Sequence, residues 1–390
     1  IYGHGTQRDL VDEEAVVGTF GAVQPTHARA PINATAVVGW VALFLCWQTG
    51  LRPGFLRSKK CQGTSTVRAD RFKSFQQCVG FFAQGGNVSI WRTAELLARG
   101  LTEWQIRKAV RRGQLERLRQ GWYASPLPSH RRPPKPGHPA PGSNLGDPAH
   151  RLAVAEEAAR IAIRYGGVLS CVSALAAHGV WIAPRHRRGR VVHYRLGRHQ
   201  ENSRVRKCRG WGPTPPAHHA IDSIPVALAC ASRCLPEDEW IAAVDSVYNQ
   251  KLLNERELRE SWGFVPPRTE KMLAKCDAEA QSGTESIARV RLRAAGYRVT
   301  PQAHIPGLGH VDLLVGDRFI FECDSETHHS SEEQLAEDAR RDGVALQLGY
   351  IPRRYRLKRI LNEWPSVLAE IRAFTSKDRH RRRGADPTPT

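Results

Sequence analysis

The chain has 390 residues, hydrophobic residues make up 41% of them, and the formal net charge is +20 at pH 7. This length and apolar content suffice for two or three domains with hydrophobic cores, which excludes a wholly disordered chain. The charge predicts a polyanionic partner, DNA above all, because neutralised phosphates release counterions. The alternative source of the charge is a strong bias towards arginine, which a GC-rich genome also produces.

The N-terminal stretch, residues 1–85, has weak hydrophobic periodicity and predicts an irregular extension: a leader, a fragment or a wrongly assigned translation. Within it, residues 37–47 are apolar, but eleven residues are too few to span a membrane. The nine cysteines of the chain include no CxxC pair, which is typical of a reducing compartment. We therefore expect a cytoplasmic protein without a membrane segment.

Two cysteines, Cys230 and Cys234, lie four residues apart on an expected helix. No second pair of Cys or His follows at zinc-finger spacing, so both are expected to pack in a core. The 16 histidines leave a zinc site open, although no motif supports one.

Residues 86–125 have the pattern of a winged helix-turn-helix. Thr93 and Thr102 are expected to cap two short helices, and residues 115–124 then alternate as a hairpin does. In the second helix, one apolar stripe predicts the buried face, so the opposite face is expected to enter a DNA major groove. The expected base and groove contacts are Gln105, Arg107, Lys108, Arg111 and Arg112, with Arg117 and Arg119 of the wing on backbone phosphate. The alternative is a solvated basic face.

The rest of the chain divides by composition. Residues 126–149 are Pro-rich and predict a semi-rigid linker. Residues 150–265 predict a mixed α/β middle region, followed by a charged joint at 265–275. Residues 282–375 have the order α-β-β-β-α-β-α, and the basic tail 376–390 is expected to be disordered. The predicted fold class is multi-domain α/β.

Residues 311–324 (VDLLVGDRFIFECD) predict a hairpin that brings carboxylates together. If residues 316–318 form the loop, the facing pairs are Val315 with Phe319 and Asp312 with Glu322, whose Cβ atoms would lie about 5 Å apart. Alternation along the strand places Asp324 on the same side as Glu322. Carboxylates this close repel each other unless one is protonated or a cation lies between them, and such oxygen ligands suit Mg²⁺. The pattern therefore predicts a metal-dependent phosphodiester chemistry; the alternative is a polar outer face, which the apolar flanks disfavour.

A spaced set of residues gives the last domain a family resemblance. The set is Glu285, Pro301, Gln302, residues 309–312, residues 322–324, His328, His329 and residues 338–349. With it, the domain resembles the PD-(D/E)xK nuclease superfamily and, more closely, the very-short-patch-repair-endonuclease-like domains of unknown function. The resemblance implies a restriction-endonuclease-like fold in which Asp312 and Glu322 bind Mg²⁺, with Mn²⁺ as an alternative, and Glu285 completes or orients the site. Asp324 stands where the wider superfamily has Lys, so the general base stays open, with His328 as one candidate.

The segment around the first two helices carries a second resemblance, on residues 93–96, 100–102, Ile106 and residues 112–123. It is similar to the N-terminal winged helix of AbiEi-type antitoxins, transcriptional regulators of the type IV toxin–antitoxin class, which implies a cognate toxin as partner. Two functions follow: a DNA-binding Mg²⁺-dependent endonuclease, or an antitoxin-like regulator whose nuclease fold is inactive. The oligomeric state stays open.

Overall fold

The computed structural model describes residues 88–126, 148–187, 191–197, 204–324, 332–376 and 380–381. These residues form 13 helices and ten strands in three sheets, so the predicted mixed α/β class is confirmed. Among them, no helix combines the length and the apolar character that crossing a membrane requires. The extension 1–85 and its apolar stretch lie outside the described residues.

A small first module combines two helices with a three-stranded antiparallel sheet in the order β1-β3-β2. Its elements are β1 (Ile90–Arg92), α1 (Thr93–Ala98), α2 (Glu103–Arg111), β2 (Glu116–Arg119) and β3 (Trp122–Ala124).

The predicted N-cap is correct for α2 and wrong for α1. Thr102 caps α2 as expected: its hydroxyl accepts from the Gln105 amide at 3.3 Å, and the Gln105 side chain accepts from the Thr102 amide at 2.7 Å. Helix α1 instead has Arg92 as its N-cap, because the Arg92 amide donates to the Glu95 carboxylate at 2.6 Å. Thr93, the expected cap, is already helical.

The first module packs directly on the region that follows it. Ile90, Trp122 and Ala124 belong to the hydrophobic core of the middle region. Arg160 of that region is fully buried and donates to Glu116 of β2 at 2.7 Å. Residues 127–147 of the expected linker lie outside the described part of the chain.

The middle region surrounds a sheet in the order β4-β5-β6, with β4 and β5 antiparallel and β5 and β6 parallel. Its elements are α3 (Pro148–Arg164), β4 (Gly167–Leu169), α4 (Cys171–Ala177), α5 (Pro184–Arg187), β5 (Val192–Leu196), β6 (Val205–Lys207), α6 (Ile224–Ala231), α7 (Glu237–Asn249), α8 (Glu255–Trp262) and α9 (Pro267–Leu273).

Helix α8 begins at Glu255, because Asn254 caps it. One expectation for this region was wrong. The expected joint at 265–275 contains α9, whose Met272 and Leu273 are buried in the middle core. The apolar residues of that segment therefore decide its structure more than its charges do.

The last region forms a four-stranded sheet in the order β10-β9-β8-β7, in which only β9 and β10 run parallel. Its elements are α10 (Gly283–Ala294), β7 (Val299–Ile305), β8 (Gly309–Val315), β9 (Phe319–Asp324), α11 (Glu332–Gln347), β10 (Ile351–Arg356), α12 (Leu357–Asn362) and α13 (Trp364–Thr375).

The expected order of elements is observed in this region, with one difference. The closing helix is split into α12 and α13, because Pro365 in the first turn of α13 cannot extend the hydrogen bonding of α12. The region is joined to the middle region by a buried ion pair between Arg289 of α10 and Asp245 of α7, 2.6 Å apart. Most of the tail 376–390 lies outside the described residues. His380 of the tail is buried, and its carbonyl accepts a hydrogen bond from the Asp317 amide at 2.7 Å. The expected disorder therefore does not extend to this residue.

Candidate active site

The hairpin of β8 and β9 has the predicted register. Val315 pairs with Phe319, and the ladder continues to Leu313 and Phe321. The ladder ends at this pair, and the next facing residues are Asp312 and Glu322.

At Asp312 and Glu322, side chains replace the backbone acceptors. The Asp312 amide donates to Glu322 Oε2 at 3.1 Å, and the Cys323 amide donates to Asp312 Oδ2 at 2.8 Å. Each carboxylate is thereby bonded to the opposite strand, which holds the two acidic groups next to each other.

Strand β8 is interrupted at the same residue on its other side. Its ladder with β7 contains the pairs Pro301–Leu313 and Ala303–Val311 but skips Gln302 and Asp312. Gln302 has φ +46°, a left-handed conformation that is uncommon for a residue other than glycine and recurs at functional sites. The backbone around Asp312 is therefore opened towards both neighbouring strands.

A third carboxylate, Glu285, reaches this opening from the first turn of α10. Ser282 caps the helix by accepting from the Glu285 amide at 3.2 Å. The Glu285 carboxylate accepts from the Gln302 side-chain amide at 2.8 Å and from the Gln281 backbone amide at 3.2 Å. Glu285 is buried, and the burial together with the charge of Asp312 raises its pKa. The unusual conformation of Gln302 thus positions a side chain that holds Glu285 near Asp312.

Burial, and after it the repulsion between neighbouring carboxylates, determines the electrostatics of this cluster. Burial and then the charge of Asp312 raise the pKa of Glu322 to about 7, against the opposing hydrogen bond from the Asp312 amide. Burial also raises the pKa of the Cys323 thiol, and the charges of Asp312, Glu285, Glu322 and Asp324 add to it. The charges of four carboxylates therefore act on one thiol, and a bound cation would relieve the repulsion between them.

Two arginines adjoin the acidic cluster. Arg341 of α11 lies 4.0 Å from Glu322 and donates to the His310 carbonyl at 2.9 Å. Arg354 of β10 is bound by two other carboxylates of α11, Asp338 at 3.2 Å and Asp342 at 3.1 Å. Arg341 is thus the better placed of the two to approach an anion at the cluster.

Two histidines are candidates for the general base that the sequence analysis left open. His328 lies outside the described residues. His310, which the sequence interpretation missed, is exposed and lies two residues before Asp312 on β8, hence on the same face of the strand. Its Nδ1 is 3.1 Å from the Gln302 carbonyl. The spacing of two residues on an expected strand was the signal that could have identified it.

The donor set of the cluster fits a hard divalent cation. Asp312, Glu322 and Glu285 offer carboxylate oxygens, which Mg²⁺ and Mn²⁺ prefer, and Asp324 follows two residues after Glu322 on the same strand. The structure thus brings Asp312, Glu322 and Glu285 of the expected acidic site together and places Asp324 two residues after Glu322 on β9.

The face of α2 expected to contact DNA is basic and outward. Ile106 and Ala109 are buried, as the apolar stripe predicted. The exposed residues among the expected contacts are Arg107 and Arg111 on α2, Arg112 directly after it, and Arg117 and Arg119 on β2.

The remaining expected contacts on α2 are engaged within the helix. The Gln105 side chain accepts the cap hydrogen bond described above. Lys108 is half-buried, with its Nζ 4.5 Å from the centre of the Trp104 ring. Of the exposed contacts, Arg107 lies 3.3 Å from Glu103, and an exposed pair of this kind contributes little stability.

Comparisons with protein-family models, with curated proteins and with solved structures found no match to this chain. Function must therefore be inferred from the geometry and charge of the described residues.

Proposed function

We propose that this protein is a cytoplasmic DNA-binding endonuclease that depends on a divalent metal ion, Mg²⁺ or Mn²⁺. In this proposal the first module is a winged helix-turn-helix, and the last region is a restriction-endonuclease-like domain that cleaves phosphodiester bonds. The observation that carries it is the convergence of Asp312, Glu322 and Glu285 from two strands and a helix onto one opened position of the sheet.

Each acidic residue has a distinct task in the proposed site. Asp312 and Glu322 would hold the cation, because hydrogen bonds already fix both carboxylates side by side. Glu285, fixed by Gln302, would complete or orient the site. A bound divalent cation lowers the pKa of a water molecule and offsets charge on the scissile phosphate. Arg341 would bind a phosphate oxygen, since guanidinium groups form strong hydrogen bonds with phosphate.

The winged helix would place this domain on DNA. Arg107 and Arg111 lie on the exposed face of α2, and Arg117 is exposed on β2. In the helix-turn-helix arrangement the second helix enters the major groove and the wing contacts backbone phosphate. The net charge of +20 supports this assignment.

A second candidate function is an antitoxin-like transcriptional regulator with an inactive nuclease fold and a cognate toxin as partner. Asp324 favours it, because it adds a negative charge where the wider superfamily has the lysine that positions the attacking water. Arg354, the basic residue paired with Glu322 across β9 and β10, is neutralised by Asp338 and Asp342 and does not replace that lysine.

The two functions are separated by incubating the full chain with supercoiled plasmid in Mg²⁺, in Mn²⁺ or in EDTA. We expect cleavage in either metal, and its loss in the near-isosteric variants Asp312→Asn and Glu322→Gln. The matched control is Asp317→Asn, which removes a carboxylate from the loop of the same hairpin, where it pairs with Arg298 rather than with the cluster.

Cleavage that persists in both variants or in chelator would rule out the endonuclease. Binding of the plasmid without cleavage in any metal would instead support the regulator.

A further inference from the structure

A second cluster of metal-ligand side chains lies in the middle region, away from the carboxylates. Cys171, His193, Cys208 and Cys234 each point one donor atom at the same small volume, and all four atoms lie within 4.8 Å of one another. Cys171, His193 and Cys208 are buried, and Cys234 is half-buried. Cys234 packs against the middle core, as expected, and its thiol is also part of this cluster.

The four donors come from four different elements. Cys171 is the first residue of α4, directly after β4 and Ser170, and His193 lies on β5. Cys208 follows the last residue of β6, and Cys234 lies in the turn after α6. The cluster therefore joins all three strands of the middle sheet to α6.

The distances between the donors match a tetrahedral zinc ion. Zinc lies about 2.3 Å from thiolate sulfur and about 2.0 Å from imidazole nitrogen, so tetrahedral ligands are about 3.8 Å apart for two sulfurs and about 3.5 Å for sulfur and nitrogen. In the structure, Cys208 Sγ is 3.6 Å from Cys234 Sγ and 3.3 Å from His193 Nδ1. Both separations need to change by only a few tenths of an ångström.

The backbone at Cys171 supplies an independent observation. Cys171 has φ +54°, a left-handed conformation that costs free energy in a residue with a Cβ. An ordinary buried cysteine gains nothing from this conformation, whereas a ligand must be aimed at its metal.

We propose that Cys171, His193, Cys208 and Cys234 bind one structural Zn²⁺. Three thiolates and one imidazole form a Cys₃His set, which is a donor combination of structural zinc sites. All four positions are filled by the protein, so no open position is left for a substrate, and the role is structural rather than catalytic. Binding releases the thiol protons to solvent, and the ion fastens a sheet whose longest strand has five residues.

The matched control for this site is Cys230. It is buried on α6, four residues before Cys234, but its thiol is not part of the cluster. Loss of a cysteine as such can therefore be separated from loss of a ligand.

The test measures zinc in the full-length protein purified without chelator, by plasma mass spectrometry. We expect about one tightly held zinc per chain, retained in Cys230→Ser and lost in Cys208→Ser and His193→Ala. Since carboxylates can also bind zinc, the protein is also loaded with Co²⁺, and the thiolate-to-cobalt charge-transfer band with the strong visible bands of a tetrahedral ion is recorded. Those bands should be present in Glu322→Gln and absent in Cys208→Ser.

The wild-type protein alone can overturn the proposal, so it does not depend on the variants folding. Wild type that holds no zinc and, after reconstitution, develops no thiolate–cobalt band would refute it. A disulfide between Cys208 and Cys234, detected as two fewer titratable thiols in non-reduced protein without metal, would also refute it.

Discussion

The first prediction concerns Glu322, because the structure gives this residue opposite effects on stability and on cleavage. Its carboxylate is buried beside Asp312, and the pKa of Glu322 is raised to about 7 from an ordinary 4.5. The folded state of the metal-free protein therefore favours the protonated form more strongly than the unfolded state does. Replacing Glu322 by Gln keeps an oxygen that can accept from the Asp312 amide and removes the charge.

The sign and size of the effect follow from proton linkage. Between pH 4.5 and about 7 the folded state binds more protons than the unfolded state, so the free energy of unfolding falls as pH rises through this range. A shift of this size corresponds to a loss of about 3 kcal/mol once pH is well above 7. We expect Glu322→Gln to recover about 1–3 kcal/mol of unfolding free energy at pH 8 in EDTA, and almost none near pH 4.5.

The assay is urea denaturation of wild type and Glu322→Gln at several pH values, in EDTA and in Mg²⁺. Bound Mg²⁺ should stabilise wild type at pH 8, because it screens the same repulsion, and should stabilise the variant much less. The control Glu260→Gln removes an exposed carboxylate that pairs with the exposed Arg256, and it should change stability little. A Glu322→Gln variant no more stable than wild type at pH 8 in EDTA would show that burial and the neighbouring charge of Asp312 do not destabilise the Glu322 carboxylate as inferred.

Two further predictions test the proposed DNA-binding face and the contact between regions. Replacing Arg107 and Arg111 together by Ala should weaken DNA binding, measured by filter binding or fluorescence anisotropy. The slope of log affinity against log salt should become less steep by about 2, since each phosphate contact contributes about 0.9. Unchanged binding would place the contact elsewhere. The control replaces Arg256 of α8 and Arg268 of α9 by Ala, which removes the same number of positive charges. Asp245→Ala should lower the free energy of unfolding in urea by about 3–5 kcal/mol, because it leaves the guanidinium of Arg289 buried without its carboxylate; a loss below about 1 kcal/mol would contradict the inferred burial.

The hairpin register could be predicted because side chains alternate strictly along a strand. Once residues 316–318 are taken as the loop, Val315 must face Phe319, and the structure has this pair. The helix cap at Thr102 could also be predicted from neighbouring residues, since Gln105 lies three residues later and completes a capping box. Such features depend on neighbours within a few residues, which the sequence displays directly.

Features that depend on distant contacts were missed. Helix α9 was taken for a charged joint because its seven residues show little periodicity, and only packing against α7 and the core reveals that Met272 and Leu273 are buried. The opening of β8 at Asp312 depends on the conformation of Gln302, which in turn bonds to Glu285 seventeen residues earlier. No pattern within one strand predicts such an interruption.

The Cys/His cluster is the clearest case of this limit. Sequence motifs for zinc depend on pairs of ligands a few residues apart, held by one turn. Here the ligands lie on or next to four different elements, and Cys234 lies four residues from Cys230, a cysteine that is not part of the cluster. The spacing therefore gave no indication of a zinc site, and only the fold brings the three cysteines and His193 together.

The two clusters differ in donor chemistry, and this decides how metal removal should be interpreted. The carboxylates of Asp312 and Glu322 suit a hard cation that exchanges readily, whereas the thiolates of Cys208 and Cys234 suit a soft one held in a closed site. A chelator acts on both: it removes the ion proposed for cleavage and, given time, the ion proposed to fasten the middle sheet. Since Arg160 and the Arg289–Asp245 pair tie the middle region to both of its neighbours, loss of zinc would disturb the DNA-binding face and the acidic site together. Inhibition by EDTA alone therefore does not identify the catalytic metal. That assignment has to come from charge-removing substitutions at Asp312 and Glu322, which leave the cysteine cluster unchanged.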